Sequence, residues 1–151
     1  MADVHVTGVK IIGAPLANVP WQPKPPGHEG AVWRHEGNPI IGWNPTPRTA
    51  RIFNSAVVPF GDGFAGVFRA DHKHGRPLLH AGFSNDGLHW EIDDEEIQWR
   101  DEDGVAHPPN YAYDPRVVKI DDAYHVVWCT EFGGPALGFG RTTDFRHFVR
   151  L

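Results

Sequence analysis

From Arg51 onward, apolar and polar positions alternate in short runs separated by turn residues, the pattern of half-buried β-strands. The runs predict strands over Ser55 to Phe60, Phe64 to Arg69, Pro77 to Ser84 and Leu88 to Ile92, joined by Gly61-Asp62-Gly63 and Asn85-Asp86-Gly87. The Asp-Gly pairs supply the positive φ that tight hairpins demand. Val117 to Ile120, Tyr124 to Cys129 and Ala136 to Gly140 read as the first three strands again. No segment carries a convincing helical period, so the predicted fold is all-β.

The second set of strands copies the first. Tyr113-Asp114-Pro115-Arg116-Val117-Val118 stands 60 positions after Phe53-Asn54-Ser55-Ala56-Val57-Val58, and Val67-Phe68 matches Val127-Trp128. After a small slip, Asp86-Gly87-Leu88-His89-Trp90 matches Asp144-Phe145-Arg146-His147-Phe148. A period this long, filled with short strands and turns, is the signature of a four-stranded propeller blade. A propeller closes with about four to eight blades, whereas 151 residues hold little more than two. The repeat therefore predicts further blades beyond Leu151, or a second chain that completes the ring.

The first third of the chain is different. Residues 3–13 alternate loosely and predict one strand, whereas residues 14–48 carry eight prolines, which exclude a regular helix or central strand over most of the span. We read residues 1–50 as an N-terminal strand and Pro-rich arm packed on the body through Trp21, Trp33 and Trp43, and residues 51–151 as the blades. The acidic, turn-rich segment from Asp93 to Asn110 is expected to link the blades, with Asp93-Asp94-Glu95-Glu96 as a solvated face.

A net charge of -5 without a basic cluster argues against nucleic acid and anionic membranes as partners. The chain shows neither a signal peptide nor an 18-residue apolar run, so a cytoplasmic location is the default. The lone Cys129 reads as a packed thiol. His72 and His74, with Lys73 between them, read as a surface hairpin tip rather than metal ligands, and no metal or organic cofactor is indicated.

In a propeller the first residues of each inner strand converge on the central channel. Asn54, Ser55, Asp114 and Arg116 would then bring an amide, a hydroxyl, an acid and a cation to one pocket, suited to a polyhydroxylated ligand such as a sugar. Arg69 and Asp71, two residues apart on one strand face, could join them or form a structural ion pair.

The runs Phe53-Asn54-Ser55-Ala56, Phe68-Arg69-Ala70-Asp71, Tyr113-Asp114-Pro115-Arg116-Val117 and the Trp128-Cys129 to Gly134-Pro135 region resemble glycoside hydrolase family 130, the mannoside phosphorylases. The likeness runs from about Asn38 to the end, and the Ile52 to Gly63 stretch looks most like the 4-O-β-D-mannosyl-D-glucose branch. The resemblance implies a five-bladed β-propeller, of which this chain covers about the first two blades. It implies a single catalytic acid at Asp114, with Asn54, Ser55 and Arg69 on positions that hold the mannosyl unit and Tyr113, Arg116 and Asp71 beside them. It also implies inverting phosphorolysis of a mannosyl-glucose or mannooligosaccharide, with inorganic phosphate as co-substrate and α-mannose 1-phosphate as product. An inverting β-mannoside hydrolase and a non-catalytic sugar-binding fragment are the alternatives. Exposed blade faces and strand edges make a homo-oligomer an expected partner arrangement. The loop Thr130-Glu131-Phe132-Gly133-Gly134 departs from the Asn-Gly-Tyr-His-Gly type of that branch, which leaves the acceptor sugar open.

Overall fold

A computed structural model describes residues 22–151, all of them strand, turn or irregular chain without a helix. The predicted strand over residues 3–13 and the anchor Trp21 lie outside the described residues. Strand β1 (Thr49–Phe60), β2 (Gly63–His72), β3 (Pro77–Ser84) and β4 (Glu91–Ile92) form an antiparallel meander in the order β1-β2-β3-β4. Following β5 (Trp99–Arg100), strands β6 (Tyr113–Ile120), β7 (Ala123–Glu131), β8 (Pro135–Thr142) and β9 (Phe148–Arg150) repeat that meander. The expected strands are present, but β1, β2 and β6 begin earlier or run longer than alternation alone suggests, and the strand expected over Leu88 to Ile92 shrinks to Glu91–Ile92.

The linker between the sheets is more structured than its composition predicts. Trp99 in β5 pairs in parallel with Phe148, which adds a fifth strand at the outer edge of the second sheet. Its ring stacks on Trp128 at 3.8 Å, and both are buried. Glycine makes that stack possible, because a Cβ at Gly138 would fall inside the Trp128 indole and one at Gly140 would lie 2.6 Å from Trp99. The acidic run is also committed: Arg48 forks onto Glu95 at 2.6 and 2.7 Å, and Arg146 meets Asp93 at 2.8 Å.

The two sheets share one core. Ala65, Val67, Leu79 and Ala81 of the first face Tyr124, Val126 and Trp128 of the second, with Ile97, Trp99, Phe145 and Phe148 closing the edges. Sheet alternation explains this, since every second residue of β2 and of β7 points to the shared side. Cys129 falls on the other face of β7 and is half-buried, so its thiol is less enclosed than its apolar neighbours predicted.

The repeat is kept down to single hydrogen bonds. Asp86 accepts the amides of Leu88 and His89 and holds the His89 imidazole at 2.7 Å; Asp144 does the same for Arg146 and His147. The His89 amide and ring and the Leu88 amide hold the Asp86 carboxyl well below its usual range. At Asp144 burial pushes upward, but the bonds from His147 and the Arg146 amide outweigh it and the net shift is likewise downward. Gly87 and its counterpart Phe145 both have positive φ, 75° and 56°. Phe145 takes up this disfavoured backbone while its buried ring packs on Phe60 and Tyr124, so core packing replaces glycine's freedom at this turn.

The arm also differs from expectation. Trp33 donates to the Gln22 carbonyl within the arm itself, and Trp43 is 74% exposed, with the Arg51 guanidinium against its ring. Pro39, Ile40 and Ile41 of the arm face Ile52, Phe64 and Phe68 of the first sheet across a cavity of about 720 Å³.

Candidate functional site

Both first strands are irregular near the sequence-predicted site. Phe53 and Asn54 stand opposite the single Arg69 between the Ile52–Ala70 and Ser55–Phe68 pairs, and Asp114 and Pro115 stand opposite the single Trp128 between Tyr113–Cys129 and Arg116–Val127, one extra residue in each strand. Such bulges bend a strand and re-aim its side chains. Asp114 sits at φ 53°, a conformation that costs a residue with a Cβ roughly 1–2 kcal/mol and that the surrounding pairing has to hold.

The result is a compact polar cluster between the sheets. Asn54 Nδ2 donates to Asp114 Oδ1 at 2.8 Å. Arg69 Nη1 lies 3.4 Å from the same oxygen, while its Nε donates to Asp71 Oδ1 at 3.1 Å. The Arg69 guanidinium is also held between two rings, 5.0 Å from the centre of Phe53 and 5.4 Å from that of Tyr113. One planar cation thus orients two carboxylates while aromatic faces fix its plane. The Asp114 side chain is 31% exposed, so the cluster opens to solvent on one side.

Of the residues named from sequence, Asn54, Arg69, Asp71, Tyr113 and Asp114 come together. Ser55 Oγ instead donates to the Phe53 carbonyl at 2.9 Å, and Arg116 Nη1 donates to the Pro115 carbonyl at 2.8 Å. The cation beside Asp114 is therefore Arg69. Sequence reasoning missed Phe53 as a wall of the cluster, although its match to Tyr113 in the repeat was a usable signal.

The histidines form a second polar group, and His72 is buried rather than at a surface tip. The Asp93 carbonyl can only accept, so His80 Nδ1 carries the proton that spans 2.7 Å to it. In the neutral chain His80 Nε2 then accepts from His72 Nε2, and His72 Nδ1 accepts from His74. His72 uses opposite ring nitrogens toward its two partners, so the three imidazoles cannot converge on one metal ion. Burial, the stronger cause, lowers the proton affinity of both His72 and His80, and the neighbouring imidazoles lower His72 further.

The family model described as beta-1,4-mannooligosaccharide phosphorylase, glycoside hydrolase family 130, matches residues 16–151. A beta-1,4-mannooligosaccharide phosphorylase of Ruminococcus albus is 43% identical over 147 residues, which cover 93% of this chain. The chain belongs to glycoside hydrolase family 130. It spans 44% of that relative's length. A beta-1,2-mannobiose phosphorylase of Listeria innocua superposes with a TM-score of 0.59 at 15% identity, covering 78% of this chain and 50% of the other. A family structure reported with the finding that these phosphorylases include hydrolases of beta-1,2 mannosidic linkages in Candida mannan gives 0.54 at 18%, covering 69% and 31%. These family 130 likenesses fit the two meanders to a β-propeller type of fold. The described residues form no closed ring and contain no helix long and apolar enough to cross a membrane.

Proposed function

We propose that the protein containing this chain is an inverting phosphorylase of β-1,4-mannosides, with Asp114 as its catalytic acid. Residues 51–151 contribute the first two blades of a five-bladed ring, preceded by the arm of residues 1–50. The observation that carries this reading is the meeting of Asn54, Arg69 and Asp71 around Asp114 in a chain of this family.

The chemistry follows from what the cluster offers. Phosphate arrives already anionic, so it needs positioning and charge neutralisation rather than a second carboxylate to activate it. Its oxygen attacks the anomeric carbon opposite the leaving sugar as the glycosidic C–O bond breaks. The leaving oxygen takes a proton that originates from the Asp114 carboxyl and passes through a mannose hydroxyl, and the proton lost by phosphate restores that carboxyl. Asn54 and Arg69 both engage Asp114 Oδ1, which leaves Oδ2 for the sugar. Asp71 and Tyr113, both against the Arg69 guanidinium, complete the mannosyl pocket in this reading.

Incubation of the full-length protein with β-1,4-mannobiose or 4-O-β-mannosyl-glucose should release α-mannose 1-phosphate only when phosphate is present. The similarity to the R. albus relative favours the mannooligosaccharide over the glucose-terminated substrate. Release of free mannose without phosphate would instead assign the hydrolase activity that the Candida mannan work reports within the family.

A further inference from the structure

The arm meets the first sheet through an alternating stack that reaches the Asp114 cluster. The Arg51 guanidinium lies 5.4 Å from the centre of the Trp43 ring and 5.2 Å from that of Phe53. Arg69 takes the Phe53 ring in turn and then Tyr113, whose ring centre is 5.8 Å from that of Tyr111. The backbone beside Trp43 is tied to the start of β1: Asn44 adopts φ 52°, and its amide donates to the Ala50 carbonyl at 2.9 Å. Both rings remain open, Trp43 74% and Phe53 44% exposed. Beside them lies a cavity of about 350 Å³ lined by Trp43, Arg51 and Phe53 with Pro39, Ile41 and Ile52.

Among the described residues the Arg51 guanidinium makes contacts with rings and no hydrogen bond or ion pair. It therefore offers a plane of unspent donors between two aromatic faces. Apolar walls with a few fixed donors are the composition of a small-molecule site. A pyranose suits that composition: its C–H face packs on an indole while its hydroxyls accept from a guanidinium.

We infer that Trp43, Arg51 and Phe53 form a second saccharide subsite, one ring's width from the Asp114 pocket, which takes an additional sugar unit of a longer oligosaccharide. The inference rests on the mannoside reading above and names the chain length of its substrate. Pre-positioned rings reduce the ordering cost of binding, which favours an affinity gain from this surface.

The test compares the full-length protein with its Trp43→Ala and Arg51→Ala variants on β-1,4-mannobiose and β-1,4-mannotetraose. Each variant should lose about five-fold in its preference for tetraose over biose, read as the ratio of kcat/KM values, the scale of one aromatic contact. Trp43→Phe should recover part of that loss. A preference unchanged within about two-fold in both variants, with phosphorolysis intact, overturns the subsite and leaves the proposed activity standing. Calorimetry separates the two claims: tetraose binding that weakens in Trp43→Ala supports the subsite even in a protein that shows no phosphorolysis. Inorganic phosphate alone binding in an Arg51-dependent way, with tetraose binding unaffected by either variant, would make this an anion site and overturn the proposal.

Discussion

Asn54 Nδ2 donates to Asp114 Oδ1 over 2.8 Å, and the two residues, 60 apart, hold the same position in successive copies of the repeat. The duplication thus places an amide against its own acidic counterpart at the seam between sheets. Asp114→Asn should abolish phosphorolysis by the full-length protein while leaving its thermal transition close to that of the native chain. Retained turnover would remove Asp114 as the acid.

Asn54→Ala tests the other partner. A hydrogen bond to a charged group is worth roughly 1.5–3 kcal/mol, so kcat/KM should fall about ten- to a hundred-fold. Steady-state kinetics with β-1,4-mannobiose checks this, and a loss under two-fold would show that the bond does not position the carboxyl.

Arg69 bridges two carboxylates and lies between two rings, so charge alone should not replace it. Arg69→Lys keeps the charge but loses the planar fork, and activity should remain about ten-fold or more below that of the native protein. Near-native kcat/KM in Arg69→Lys would show that a point charge is sufficient.

The imidazole chain predicts acid sensitivity. His72 and His80 have folded-state pKa values below the ordinary 6.5, so the unfolded chain binds protons that the folded chain refuses. Stability should therefore be level above that value and fall as the pH drops below it, by at most about 1.4 kcal/mol per pH unit for each group. Asp86 and Asp144 are likewise shifted downward, from 3.8, and lose their contribution only in a more acidic range. Melting temperatures from pH 7.5 to 5 should show the drop, and His80→Asn should flatten it; an unchanged slope would place the titrating groups elsewhere.

Gly138→Ala would drive a methyl group into the Trp128 indole and should destabilise the chain by about 1–3 kcal/mol, read from urea unfolding. Gly134, in the neighbouring turn, has open space around its Cβ position. Gly134→Ala should change stability by less than about 0.5 kcal/mol, and an equal loss in both variants would rule out the packing explanation.

Local rules carried the sequence a long way. Period-two alternation gave β3 its observed bounds, Pro77–Ser84, and the placement of Arg69 and Asp71 on one side of β2. The offset between Asn54 and Asp114 located the pair that the fold joins. Alternation did not reveal β5, because two residues are too short to show a period and the strand is defined only by pairing with Phe148 some fifty positions later. Nor did it distinguish Arg116 from Arg69: the guanidinium on the inner strand folds back on its own backbone, and the one on the next strand reaches the acid.

What the chain determined by itself was its all-β character, its duplicated unit and the residue types at the seam, since each depends on neighbours close in sequence. Tertiary structure alone decided which side chains meet. Bulges at Phe53-Asn54 and Asp114-Pro115 re-aim the strands, burial turns His72 inward, and the arm lays Trp43 on Arg51. Those contacts arise from the packing of distant segments against one another, and no short stretch of sequence encodes that geometry.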